Sequence, residues 1–181
     1  MLFDDRQYSP HSSKPVEILR RYLSDIVYGA TDGIITTFVI VSGVEGAKMS
    51  PIVVVILGLV NLFSDGISMG ASSFLSIRTG AIANSISKGF KIPFYHACVT
   101  FFAFVLLGAI PLISFLIPSF SGHRFSISCI LTGMTLFLIG TLRALVVKER
   151  PFQGAFEMLC IGGLAAGIAY ALGHILSKWI S

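Results

Sequence analysis

Two aspartates lie in the middle of apolar runs, Asp32 in "YGATDGIITTF" and Asp65 in "NLFSDGISMG". In a run that crosses a bilayer a charged carboxylate costs about 3 kcal/mol, so such residues are functional candidates first. The other reading is a hydrogen bond between helices, or a carboxyl that keeps its proton. On a helix Asn61, Asp65 and Met69 fall at i, i+4 and i+8, along one stripe. A thioether on an apolar face is ordinarily packing. Beside a carboxylate and an amide oxygen it is also a soft ligand. Oxygen together with sulfur suits ferrous iron or manganese better than magnesium or calcium. Asp32, Met69, Asp65 and Asn61 are therefore the candidate metal ligands.

The elements that must position them follow from composition. The 181 residues are 54% hydrophobic and 12% charged, with a mean hydropathy of +0.85. Soluble domains carry about a quarter charged residues, so lipid is the expected solvent. No basic and aromatic stripe suggests nucleic acid. Five apolar stretches reach the roughly 20 residues that a spanning helix needs. They run approximately Ile26–Val44, Ile52–Ile77, Phe94–Ile117, Phe125–Val147 and Ala155–Ile180. The runs are continuous rather than alternating, which predicts helices and not a barrel. Pro111 should kink the third. The fold class is all-α, a polytopic membrane protein with five transmembrane helices.

Of the 13 lysines and arginines, ten fall on the side of the N-terminus and only Lys48, Arg124 and Lys178 on the other. This predicts a cytoplasmic N-terminus and an outside C-terminus. Residues 1–15 are polar and read as a disordered tail, and residues 16–181 as the transmembrane domain. That domain opens with a short amphipathic helix on the cytoplasmic surface, carrying Val16, Leu19, Leu23 and Ile26 at helical spacing. Counting inward from the span ends at about 1.5 Å per residue puts Asp32 roughly 9 Å deep, Met69 about 12 Å and Asp65 about 18 Å. Asp32 and Met69 are thus expected at one level, with Asp65 and Asn61 further outward along a path.

Gly29 and Gly33 bracket Asp32, and Gly66 and Gly70 bracket Met69, as GxxxG pairs that let helix backbones approach. Gly163 and Gly167 form a third pair, also read as packing. Glu157 opens the fifth span, where it favours the helix N-terminus; a proton or metal relay is the other reading. Arg143 is expected to snorkel to the cytoplasmic interface. His96 and His174 read as interfacial or packing residues, and His123 lies in an outer turn. Cys98, Cys129 and Cys160 show no metal or disulfide spacing and read as small hydrophobes.

The stretch "DIVYGATDGIITTFVIVSGVEGA", followed by "GLVNLFSDGISMGASSFLSIR", resembles the vacuolar iron transporter family. "VTFFAFVLLGAIPLISFL" and "FEMLCIGGLAAGIAYALGHIL" are similar to that family's third and fifth spans. The likeness covers roughly Ile18 to Leu176. It implies a homodimer of five-helix subunits, with the ion path between the first and second helices of both. It also implies ferrous iron, sometimes manganese, leaving the cytoplasm in exchange for protons, with no permanently bound cofactor. Asp32 matches the family's first-span aspartate and Met69 its second-span methionine. Asn61 stands where many members have glutamate, and Asp65, one turn along, is the candidate replacement. Full-length members carry a glutamate-rich cytoplasmic domain after the second span; here "TGAIANSISKGFKIP" holds no acidic residue.

Three functions compete on these residues. A proton-coupled exporter of divalent metal uses all four candidate ligands and needs metal, protons, lipid and a second subunit as partners. An intramembrane aspartyl protease also needs two membrane aspartates, but Thr31 and Ser64 stand where such enzymes carry glycine. A membrane scaffold would use the polar groups only to tie helices together. The expectation is the transporter and not an enzyme, in a bacterial-type plasma membrane rather than an organelle.

Overall fold

We describe a computed structural model over residues 15–83, 89–120 and 122–180, the side chains of residues 15–21 and 146 excepted. Six α-helices follow in order: α1 (Pro15–Gly46), α2 (Pro51–Ala83), α3 (Lys91–Gly108), the short α4 (Ile113–Leu116), α5 (Arg124–Val147) and α6 (Pro151–Ile180). Three of them begin on proline, whose missing N–H costs nothing in a first turn and whose fixed φ suits a helix. Five stretches are long and apolar enough to cross a membrane: Tyr22–Gly46, Pro51–Ala83, Lys91–Leu116, Arg124–Leu145 and Pro151–Ile180. The five expected spans are all present.

Their boundaries differ from the expected ones in an instructive way. The amphipathic stretch from Val16 is continuous with the first span in α1. Residues 1–14 of the expected tail lie outside the described residues. Pro111 interrupts the third span as its chemistry requires, since it offers no N–H and crowds the preceding turn. α3 stops at Gly108, a 3-10 turn covers Ile110–Leu112, and α4 resumes the direction. The Pro111 carbonyl accepts a hydrogen bond from Ser128 Oγ at 2.8 Å, which ties the break to α5.

α1 and α3 are the inner helices. Their most extensive contact is with each other; α1 also packs on α6, and α2 on α3, whereas α1 and α2 touch less. One face of α3, His96, Thr100, Phe104 and Gly108, is buried. Opposite it on α1 lie Asp25, Gly29 and Gly33. A side chain on Gly29 would strike the Thr100 carbonyl at 2.5 Å, and one on Gly33 would meet the Phe104 carbonyl closer still. The two backbones therefore touch. On α2 the buried stripe is Val54, Gly58, Leu62, Gly66 and Gly70, and it also faces α3, with Gly70 set against the Ala97 carbonyl. Both GxxxG pairs thus serve α3, not one another.

Gly163 and Gly167 do not pack. A Cβ on either would meet nothing within 4 Å, because both open onto a groove of about 460 Å³ between α1, α5 and α6. The glycines by which α6 approaches its neighbours are Gly154, against Gly140, Gly162, against Leu136, and Gly173, against the Gly43 carbonyl. Identical spacing on the sequence says nothing about which way the pair turns.

The remaining surface is apolar. Ile52, Ile56, Val60, Phe63 and Ile67 of α2, and Phe156, Leu164, Ile168 and Leu172 of α6, are exposed on the subunit. A water-soluble monomer does not carry such a continuous patch, and lipid or another protein must cover it.

The glycine contacts predict a contrast. Gly33→Ala should destabilise the purified protein by about 1–3 kcal/mol, because two backbones must separate. Gly167→Ala should be neutral or gain up to about 1 kcal/mol of helix propensity. Thermal unfolding in detergent reads both.

Candidate metal path

α3 measures the height of the polar residues. Gly33, next to Asp32, sits against Phe104. Gly66, next to Asp65, sits against Phe101 and Val105. Asp32 and Asp65 are therefore level. Gly70, next to Met69, sits lower, against Ala97 and Phe101. Leu62, next to Asn61, reaches Gly108 on the opposite side. The order from the N-terminal end of α1 is thus Met69, then Asp32 with Asp65, then Asn61.

This corrects the expected depths, which paired Asp32 with Met69 and put Asp65 further outward. Counting from span ends cannot show how α1 and α2 are offset along α3, which only their contacts reveal. Asp25 itself faces α3.

All four candidate ligands are partly buried, on the side of α1 and α2 that borders the buried stripes. Among the described residues neither the Asp32 nor the Asp65 carboxylate has a hydrogen-bonding partner, and the buried side-chain nitrogen of Asn61 has none. The Thr36 hydroxyl spends its proton on the Asp32 backbone carbonyl at 2.8 Å and leaves the carboxylate alone. Two like charges at one level, without donors, repel in a nonpolar setting. No three His, Cys, Asp or Glu side chains converge among the described residues. The two carboxylates, the thioether and the amide are spread over three heights along α2 and α1 in one subunit.

Glu157 is not brought to this group. Its Oε2 lies 3.2 Å from Arg143 Nη1, across α5 and α6, with both side chains substantially exposed. α6 begins at Pro151, so Glu157 falls in its second turn, beyond the reach of the helix-end effect expected for it. Arg143, expected only to snorkel, has this carboxylate as its partner.

The sequence reading missed a polar cluster. His96, 8% exposed, places Nδ1 2.5 Å from Asp25 Oδ2, and its ring meets that of Tyr22 at 4.7 Å between centroids. The Thr100 hydroxyl donates to the His96 carbonyl at 3.0 Å and lies 3.4 Å from Asp25 Oδ1. A signal was present: Asp25, Gly29 and Gly33 share one stripe on α1, as His96, Thr100 and Phe104 do on α3.

A family model described as the VIT family matches residues 23–85 and 81–174. The chain belongs to the VIT family. Similar proteins include the vacuolar iron transporter of Toxoplasma gondii, 26% identical, with 86% of this chain and 74% of that protein covered. The vacuolar iron transporter of Plasmodium falciparum is 27% identical, covering 88% and 84%. Vacuolar iron transporter 1 of Arabidopsis thaliana is 20% identical, covering 84% and 85%. The aligned spans, 224 and 228 positions for the first two, exceed this chain's 181 residues. Those VIT-family relatives therefore hold residues within the matched region that this chain lacks. The family match itself changes segment at residues 81–85, after α2. That is where the resemblance expects the acidic domain.

The Asp32–Asp65 geometry is testable without transport. In metal-free detergent, Asp32→Asn and Asp65→Asn should each raise thermal stability, and the double variant should gain less than their sum. A coupling on the order of 1 kcal/mol is expected if the two groups share one site. Strict additivity would place the two carboxylates apart.

Proposed function

We propose that this chain transports a divalent transition metal across a membrane, with ferrous iron as the first substrate and manganese as the second. Membership of the VIT family and the names of its relatives support metal-ion transport, and they speak against an enzyme. The observation that carries the site is the pair of partnerless carboxylates, Asp32 and Asp65, held level inside two spans.

Such a pair has two ways to lose its repulsion: bind a divalent cation, or bind protons. The two occupancies exclude each other, which is the chemical basis of exchange. Taking the lysine and arginine asymmetry as orientation, metal arrives from the cytoplasm at Met69, whose thioether is a weak ligand that favours borderline ions. It moves one turn up to Asp32 and Asp65 and leaves past Asn61, while protons take its place on the carboxylates. Asn61 adds an oxygen but no charge, so the exit holds metal less tightly than the centre. Release needs that gradient.

A second copy of the chain completes the account. A lone subunit leaves these half-buried carboxylates, with an incomplete coordination shell, on a side that lipid would otherwise cover, at a cost of several kcal/mol. A homodimer facing α1 and α2 together would seal that side and double the donors. Without an acidic domain between α2 and α3, metal is taken directly from solution. The relatives named above are eukaryotic proteins named for the vacuole, so they lend no support to the bacterial-type plasma membrane expected from the sequence.

Proteoliposomes loaded on one side with ferrous iron or manganese test the proposal. The unmodified chain should move both, faster with an opposing proton gradient. Asp32→Ala and Met69→Ala should each reduce the rate at least tenfold while leaving the protein folded. Full transport by both variants would reject the site.

A further inference from the structure

The buried Asp25–His96–Thr100 cluster lies in the α1–α3 seam, seven residues before Asp32 along α1, or about 10 Å at 1.5 Å per residue. Histidine is the side chain whose ordinary range lets it gain and lose a proton near neutrality. Here one ring nitrogen is committed to a carboxylate, which fixes the ring and leaves the other nitrogen to exchange. We propose that Asp25 and His96 form the inner proton site of the transporter, the station through which protons leaving Asp32 and Asp65 reach the cytoplasm.

The step balances simply. The step starts from the tautomer in which a neutral His96 would donate its Nδ1–H to the Asp25 carboxylate. A proton released from the Asp32–Asp65 pair, when metal displaces it, is taken up at Nε2. The imidazolium formed is stabilised by Asp25, then returns the proton to cytoplasmic water. No electron moves, and one proton passes per cycle of the pair.

The surroundings suit this role. From α1, the groups facing His96 are Asp25 and Tyr22; from its own helix, Thr100. α2 packs on α3 here through Gly70 against Ala97, and its Arg78 is exposed, as are Lys91 and Tyr95 of α3. The Thr100 hydroxyl, which donates to the His96 carbonyl, lies 3.4 Å from the second oxygen of Asp25 and borders the pair. A merely structural tie between α1 and α3 has no need of a titrating group. The adjoining contacts in the same seam, at Gly29 and Gly33, hold the helices together without one.

The inference rests on the exchange reading above, and one experiment separates the two. Manganese uptake into proteoliposomes is measured with and without a pH gradient, together with metal-driven proton movement, for the unmodified chain, His96→Gln and Asp25→Asn. Glutamine keeps a hydrogen-bond donor near Asp25 and removes the titration. The expected result is that His96→Gln still moves manganese, but its stimulation by the gradient and its proton movement fall at least fivefold and its pH profile flattens. His96→Gln with an unchanged gradient response would overturn the proton site while leaving the transport reading intact. Loss of folding in both His96→Gln and Asp25→Asn, seen by size exclusion, would also overturn it, by making the pair a structural tie. An unmodified chain indifferent to the gradient would sink the exchange reading itself, and this inference with it.

Discussion

The position of Asp32 depends on a contact between two backbones. Gly29 and Gly33 let α1 lie directly on α3, and a methyl group at either would push against a carbonyl of Thr100 or Phe104. In lipid, helices gain little from burying apolar surface against each other, so close packing and specific polar contacts must hold them. The seam supplies both: glycines along its length, and the Asp25–His96 contact at one end. α2 uses the same helix, through Gly66 and Gly70, as its support. α3 thereby fixes the relative height of α1 and α2 although these two touch little.

That shared support has an electrostatic consequence. It brings Asp32 and Asp65 level, with no donor from the described residues to calm either. A scaffold would have no reason to hold two carboxylates this way, because hydroxyls stand close by in sequence, Thr31 and Thr36 for Asp32 and Ser64 and Ser68 for Asp65. Thr31 instead reaches toward Met158, and Thr36 caps backbone carbonyls. In the transport reading proposed above, the unsatisfied pair is the place for a positive charge that comes and goes. In that reading Met69 on one side and Asn61 on the other would grade the affinity along the path, sulfur first, then two charges, then a neutral oxygen.

Much of this was legible in the sequence, for identifiable reasons. Runs of apolar residues and prolines at helix starts announced the spans, because both act locally. The stripe of Asn61, Asp65 and Met69 followed from the helical repeat alone. The break after Gly108 followed from what Pro111 cannot do. What failed was whatever depended on a distant partner. GxxxG says that some helix comes close but not which one, so α3 went unrecognised as the common partner and Gly163–Gly167 was taken for packing. The Asp25–His96 contact was not legible because its members stand 71 residues apart. Depths counted from span ends mispaired Asp32 with Met69, because contacts with α3 set the offset of α1 and α2, not the ends of the apolar runs.

The central claim is that one cation is held by Asp32 and Asp65 with sulfur from Met69 within reach. X-ray absorption at the manganese edge, on manganese-loaded protein in detergent, reads the ligand atoms directly. The account predicts an oxygen shell with a sulfur contribution that disappears in Met69→Leu, and loss of bound metal in Asp32→Asn. An oxygen-only shell that neither substitution alters would contradict it.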